Sequence, residues 1–154
     1  FIIETATDLR ELLCAVRVCK ENFSLAVIAS MAFSSDNSGG RTPMGNKAAD
    51  CAAALRDAGA DILGLNCGDL DPKLLDKIVA TYRSACDLPL MVEPNAGKPR
   101  IDGEKTVYDM SPGEFAAEVI APCIGAGATI VGGCCGTSPD HIRAAAKLAA
   151  EKSV

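Results

Sequence analysis

Histidine is almost missing from this chain: of 154 residues, only His141 carries an imidazole. Any transition-metal centre must therefore rest on sulfur, with carboxylates as the only other candidates. Tryptophan is absent and aromatic residues make up 4%. The apolar bulk comes instead from Ala, Val, Ile and Leu, which suits strands buried on both faces under small-residue helices. No cluster of Lys or Arg occurs and the net charge is −5, which argues against nucleic acid or an anionic membrane as partner. No apolar run approaches the roughly 20 residues that span a bilayer, and no signal-peptide pattern is present. A leading Met is lacking as well. Phe1-Ile2-Ile3 reads as a strand already under way, so a longer polypeptide is expected.

Cysteine, by contrast, is plentiful, with eight residues. A secreted disulfide scaffold would be short and loop-rich, whereas this chain has strong helical periodicity, so free thiols in a reducing cytoplasm are expected. Short apolar strands alternate with amphipathic helices, the pattern of a parallel α/β sheet. The strand candidates are Phe1–Glu4, Ala26–Ala32, Asp61–Asn66, Leu90–Glu93 and Thr129–Gly132. Each leads into a helix with a start signal. Asp8 and Glu11 can form a capping box, and Asn46 precedes an Ala-rich helix with Gly59 as its C-cap. Asp71-Pro72, Ser111-Pro112 and Ser138-Pro139 pair an N-cap with proline at the first helical position, and Ser111 with Glu114 makes a second capping box. Pro122 is expected to end or kink the fourth helix.

The polar residues fall at the ends of successive strands: Glu4-Thr5, Ser30-Met31, Asn66-Cys67, Glu93-Pro94-Asn95 and Cys134-Cys135. A β/α barrel gathers such ends on one rim, whereas an open sheet would spread them along a line. The expected fold is therefore α/β, with five β-α units of an eight-unit TIM-type barrel. Cys67, Cys134 and Cys135 could supply three sulfur ligands to zinc and leave a fourth position open. Two other readings stand beside this one: small buried residues, or a vicinal disulfide, which strains the peptide it encloses. Cys14, Cys19, Cys51, Cys86 and Cys123 read as packing residues. Asn66 and Asn95 could orient loops or meet a substrate, and Asn95 also reads as a turn former. His141 reads as a surface residue or a neighbour of the site, and 36–40 as a flexible surface loop or lid.

The run Gly132-Gly-Cys-Cys-Gly-Thr-Ser-Pro-Asp-His-Ile142, with Gly64-Leu-Asn-Cys67 and Val92-Glu-Pro-Asn-Ala-Gly-Lys-Pro99, resembles the zinc-dependent homocysteine S-methyltransferase family. The likeness is closest to the homocysteine-binding domain of its cobalamin-dependent branch. Phe1–Thr5, Ser30–Phe33, Gly40–Gly45 and Gly103–Tyr108 fit as well, so it covers nearly the whole chain. The resemblance implies that residues 1–154 are the C-terminal part of the barrel, strands 4 to 8, with the N-terminal strands absent. It implies zinc on Cys67, Cys134 and Cys135, and Glu4 on the ammonium group of homocysteine. Thr5, Asn66 and Met31 are the further expected substrate contacts. The implied reaction is methyl transfer to the homocysteine thiol, giving methionine. The implied partners are cobalamin- and folate-binding domains, or the missing half of the barrel. Betaine, S-methylmethionine or corrinoid-protein chemistry within the family, and a non-catalytic structural zinc module or half-barrel, remain as alternatives.

Overall fold

The computed structural model describes residues 1–152. In chain order the main elements are β1 (Ile2–Ala6), α1 (Leu9–Asn22), β2 (Ile28–Met31), α2 (Ala48–Asp57), β3 (Ile62–Asn66), α3 (Leu75–Ala85) and β4 (Leu90–Glu93). They are followed by β5 (Arg100–Asp102), β6 (Lys105–Val107), α4 (Pro112–Glu114), a π-helical stretch (Phe115–Ile120), α5 (Ala121–Gly125), β7 (Ile130–Val131) and α6 (Pro139–Lys152). Five strands form one sheet in the order β1-β2-β3-β4-β7, and every pairing is parallel. The order follows the chain without the reversal that a doubly wound sheet shows.

Alternation along each strand divides the sheet into two faces. Ala29, Met31, Leu63, Leu65, Leu90 and Val92 share one face and form the core with Leu12, Val16, Leu55, Ile78, Val79 and Tyr82 of the helices. Glu4, Ser30, Asn66, Met91 and Glu93 take the opposite face. At the edge strands that face leaves Ile2 58% and Ile130 38% exposed. A core on one face of a parallel sheet in sequential order is the wall of a barrel.

The expected starts at Asp71 and Ser111 hold, and Asp8 caps its helix without the Glu11 half of a capping box. Asp8 caps α1 by accepting from the Arg10 N–H at 2.8 Å, and Ser111 with Glu114 forms the complete capping box. Asn46, however, does not cap α2, which begins at Ala48 without a side-chain cap. Its carboxamide oxygen accepts from Leu9 N–H at the start of α1, and its own N–H donates to the hydroxyl of Thr42. Pro122 does not end its helix either. It lacks the N–H that would bond the carbonyl four residues back, and the chain passes it by widening into the π-helical turns, where Ala121 N–H reaches the Ala116 carbonyl.

The β5–β6 hairpin has no counterpart in the expected strands, although Asp102-Gly103 is a hairpin signal. Gly103, at φ +63°, takes the first position of the two-residue turn, where a II′ turn places glycine. The loop around residues 36–47 is tied down: Asp36 pairs with Lys77, Thr42 is buried, and Arg41 bridges to Ser35 and Lys47.

Burial pushes the thiols of Cys51 and Cys123 from 9.0 up to about 12. The folded state then holds these protons more tightly than the unfolded chain, so their contribution is intact below pH 9 and is lost as pH rises toward 12. Chemical denaturation between pH 8 and 11 should show falling stability, with a shallower fall in a Cys51→Ala/Cys123→Ala double variant. Identical slopes in the two proteins would refute this.

Candidate metal centre

β3 and β7 flank β4, and the three thiols lie just past the ends of β3 and β7. After Asn66 the chain turns sharply at Cys67, with φ +54°. Gly68 follows at φ +82°, packed so closely that a Cβ there would lie 2.2 Å from the Phe33 carbonyl oxygen. Beyond β7, Gly132 and Gly133 lead into Cys134-Cys135-Gly136. The run after β4 holds both thiol loops. On one side Cys67 N–H donates to Glu93 O and the Asn95 Nδ2 donates to Gly68 O, each at 3.3 Å. On the other, Cys134 N–H donates to Pro94 O, Cys135 N–H to Asn95 Oδ1, and Ala96 N–H to Cys135 O.

The sulfur atoms of Cys67 and Cys135 are 3.8 Å apart, those of Cys134 and Cys135 3.9 Å, and all three lie within 4.8 Å of one another. Zinc–sulfur bonds of about 2.3 Å at tetrahedral angles place sulfurs about 3.8 Å apart, and the two separations made by Cys135 match that spacing. Among the described residues, no other group of three or more His, Cys, Asp or Glu side chains is spaced to hold a cation. Burial, then the charge of Cys67, pushes the Cys134 thiol from 9.0 up to about 12, so three thiolates coexist only when a cation offsets them.

The other expected residues divide. Glu4 is exposed midway along β1 and faces Glu93 across the inner sheet face. The Glu93 carboxyl is raised above its ordinary value by burial and then by the charge of Glu4. Thr5 has φ +62° and lines a cleft of 320 Å³ with Thr7, Pro43, Cys67, Asn95 and Tyr108. Asn66 and Met31 do not reach that cleft. Asn66 is 1% exposed and its amide is engaged at both ends: Oδ1 accepts from Thr5 N–H and the Ser30 hydroxyl, while Nδ2 donates to the Thr5 hydroxyl. Met31 is fully buried in the core on the helix side.

His141 is buried, not a surface residue. Its Nε2 lies 2.9 Å from the Met110 carbonyl, which can only accept, so Nε2 carries the proton and Nδ1 accepts from Ser138. The ring staples the start of α6 and has no free nitrogen for a metal. Asn95, read as able to orient loops, clamps both of them. Sequence reasoning missed two residues: Glu93 carried the same strand-end signal as Glu4, and Tyr108 depends on the unanticipated hairpin.

A family profile described as "Homocysteine S-methyltransferase" matches residues 1–149. The chain is 30% identical over 151 residues to a methionine synthase of Mycobacterium leprae (strain TN), covering 97% of this chain and 12% of that protein. It is 34% identical over 105 residues to homocysteine S-methyltransferase 3 of Zea mays, covering 65% of this chain and 30% of the other. The crystal structure of the homocysteine methyltransferase MmuM from Escherichia coli, metallated form, matches with TM-score 0.71 and 22% identity over 97% of this chain and 44% of that one. That likeness establishes a shared fold. The chain spans under half of each of these proteins.

Gly68→Ala tests how rigidly the site is set. Its Cβ would collide with the Phe33 carbonyl at a left-handed φ, a strain of about 1–3 kcal/mol. The variant should melt earlier and bind zinc more weakly, as read by chelator competition. Unchanged affinity would show that the Cys67 turn adapts.

Proposed function

This chain belongs to the homocysteine S-methyltransferase family, and from that premise we propose that it is the zinc-holding wall of an enzyme that methylates the thiol of homocysteine. The observation that carries the reading is the separation of the three sulfurs, which suits zinc with one corner left for a substrate. When bound, zinc supplies Lewis acidity that keeps a thiol ionised near neutral pH, where a free alkyl thiol is largely protonated and a poor nucleophile. Cys67, Cys134 and Cys135 would hold the zinc, and the bonds from residues 93–96 to both loops keep the three sulfurs together. Glu4, exposed on the inner face, holds the ammonium group of homocysteine, and Thr5 lines the approach. In the transfer, a sulfur–carbon bond forms to the methyl group as the donor–methyl bond breaks, and the thiol proton leaves to solvent.

For the donor we favour methylcobalamin presented by a neighbouring domain. The likeness to methionine synthases runs over 97% of the chain, whereas the Zea mays homocysteine S-methyltransferases align over 65% and 53%. We read residues 1–154 as strands 4 to 8 of an eight-stranded barrel. One-sided helices and the exposed inner-face residues Ile2 and Ile130 support this, as does coverage of 49% and 44% of the two MmuM chains. The rival reading is a structural zinc module, in which protein atoms fill all four positions and homocysteine leaves the metal spectrum unchanged.

Two measurements bear on this reading. Metal analysis should find one zinc per chain, and Cys134→Ser should lose most of it; undiminished zinc in that variant would sink the ligand set. Glu4→Gln should keep its zinc yet raise the homocysteine KM by roughly tenfold, the scale of a lost charge-assisted hydrogen bond. A normal KM in Glu4→Gln would remove that residue from the substrate site.

A further inference from the structure

Tyr108, directly after β6, is brought to the thiols by the hairpin. Its ring lies on the backbone of Gly136, where a Cβ would sit 2.2 Å from the Tyr108 Cγ. The residue lines the same cleft as Cys67 and, through Gly136, packs on the turn that carries Cys134 and Cys135. Its position is fixed from both sides. Asp109, next in the chain, pairs with Arg100 at the base of β5. Met110 N–H donates to Ala96 O, and the Met110 carbonyl accepts from the buried His141.

A hydrogen-bond donor beside the sulfurs would relieve their charge. Three thiolates exceed the charge of a divalent cation, and a fourth sulfur adds another negative charge. The backbone N–H groups of all three cysteines are already committed to oxygen: Cys67 to Glu93, Cys134 to Pro94 and Cys135 to Asn95. They therefore do not relieve the charge on sulfur. An O–H aimed at one of the thiolates does, and outer hydrogen bonds of this sort tune both metal affinity and ligand basicity.

We propose that Tyr108 is a positioning residue of the thiolate centre: its phenolic O–H donates to the Cys135 sulfur, and its ring forms the wall of the substrate cleft opposite Thr5. The O–H drains negative charge from Cys135 as the substrate sulfur joins the other three. The inference rests on the zinc-and-homocysteine reading above.

The test is Tyr108→Phe in cobalt-loaded protein, since Phe keeps the ring on Gly136 and deletes only the O–H. Cobalt should still bind at one per chain. The sulfur-to-cobalt charge-transfer band should move to longer wavelength, because a hydrogen bond lowers the energy of the sulfur lone pairs. The dissociation constant for L-homocysteine, titrated by the same band, should rise by about three- to tenfold, the worth of one hydrogen bond. A cobalt-loaded Tyr108→Phe protein with an unmoved or shorter-wavelength band would overturn this role and leave the zinc site standing. A wild-type protein that takes up no cobalt, or whose band ignores homocysteine, would overturn both.

Discussion

A single run of backbone at the end of β4 sets the distance between the thiols. Paired strands lie about 4.8 Å apart, so β3 and β7, on either side of β4, are about twice that distance from each other. Side chains rising straight from those two strands would not meet. They meet because Glu93, Pro94, Asn95 and Ala96 bond to Cys67 and Gly68 on one flank and to Cys134 and Cys135 on the other. Both loops are drawn inward over β4, and the sulfurs close to 3.8–3.9 Å. The left-handed turn at Cys67 and the bare backbone of Gly68 and Gly136 are consequences of that inward pull.

Charge follows from the same geometry. Drawing the loops together puts three ionisable sulfurs beside one another, and burial, then the charge of Cys67, raises the Cys134 thiol to about 12. The strands below carry Glu4 and Glu93, and Glu93 is held above its ordinary value by burial and by Glu4. A rim so built favours positive charge twice over, as a cation among the sulfurs and as an ammonium group over the carboxylates.

The five parallel strands, their order and the location of three cysteines at strand ends were all legible in the sequence, because β-rich apolar runs and proline-marked helix starts are local signals. Less legible was what Asn46, Asn66 and Asn95 do. Each bonds across a long sequence separation: Asn46 to Leu9, Asn66 to Thr5, and Asn95 to Gly68 and Cys135. An asparagine after a strand reads locally as a turn or a cap, and only the packed barrel wall decides which distant group it meets. Met31 misled for another reason. It adjoins Ser30 at a strand end, but alternation turns Ser30 to the inner face and Met31 into the core. The Pro122 helix shows the reverse case, where a strong local breaker was overridden by packing: Phe115, Val119, Ile120 and Cys123 are all buried, and the widened turn keeps them so.

Asn66 shows why the strand ends can hold strained backbone at all. Thr5 and Cys67 both take left-handed φ values, which cost an L-residue roughly 1–2 kcal/mol each. For β-branched Thr5 the conformation is a rarity. Asn66 accepts from the Thr5 N–H and the Ser30 hydroxyl and donates to the Thr5 hydroxyl, all at 2.6–2.9 Å. Three such bonds contribute about 1 kcal/mol apiece, which is the size of the strain they oppose. The turn that carries Glu4 and Thr5 is therefore held by an internal brace from β3 and not by its own propensity. The same residue leads directly into Cys67. One side chain thus ties the strand end that would meet the amino group of a substrate to the strand end that would meet its sulfur, and fixes the reach between the two.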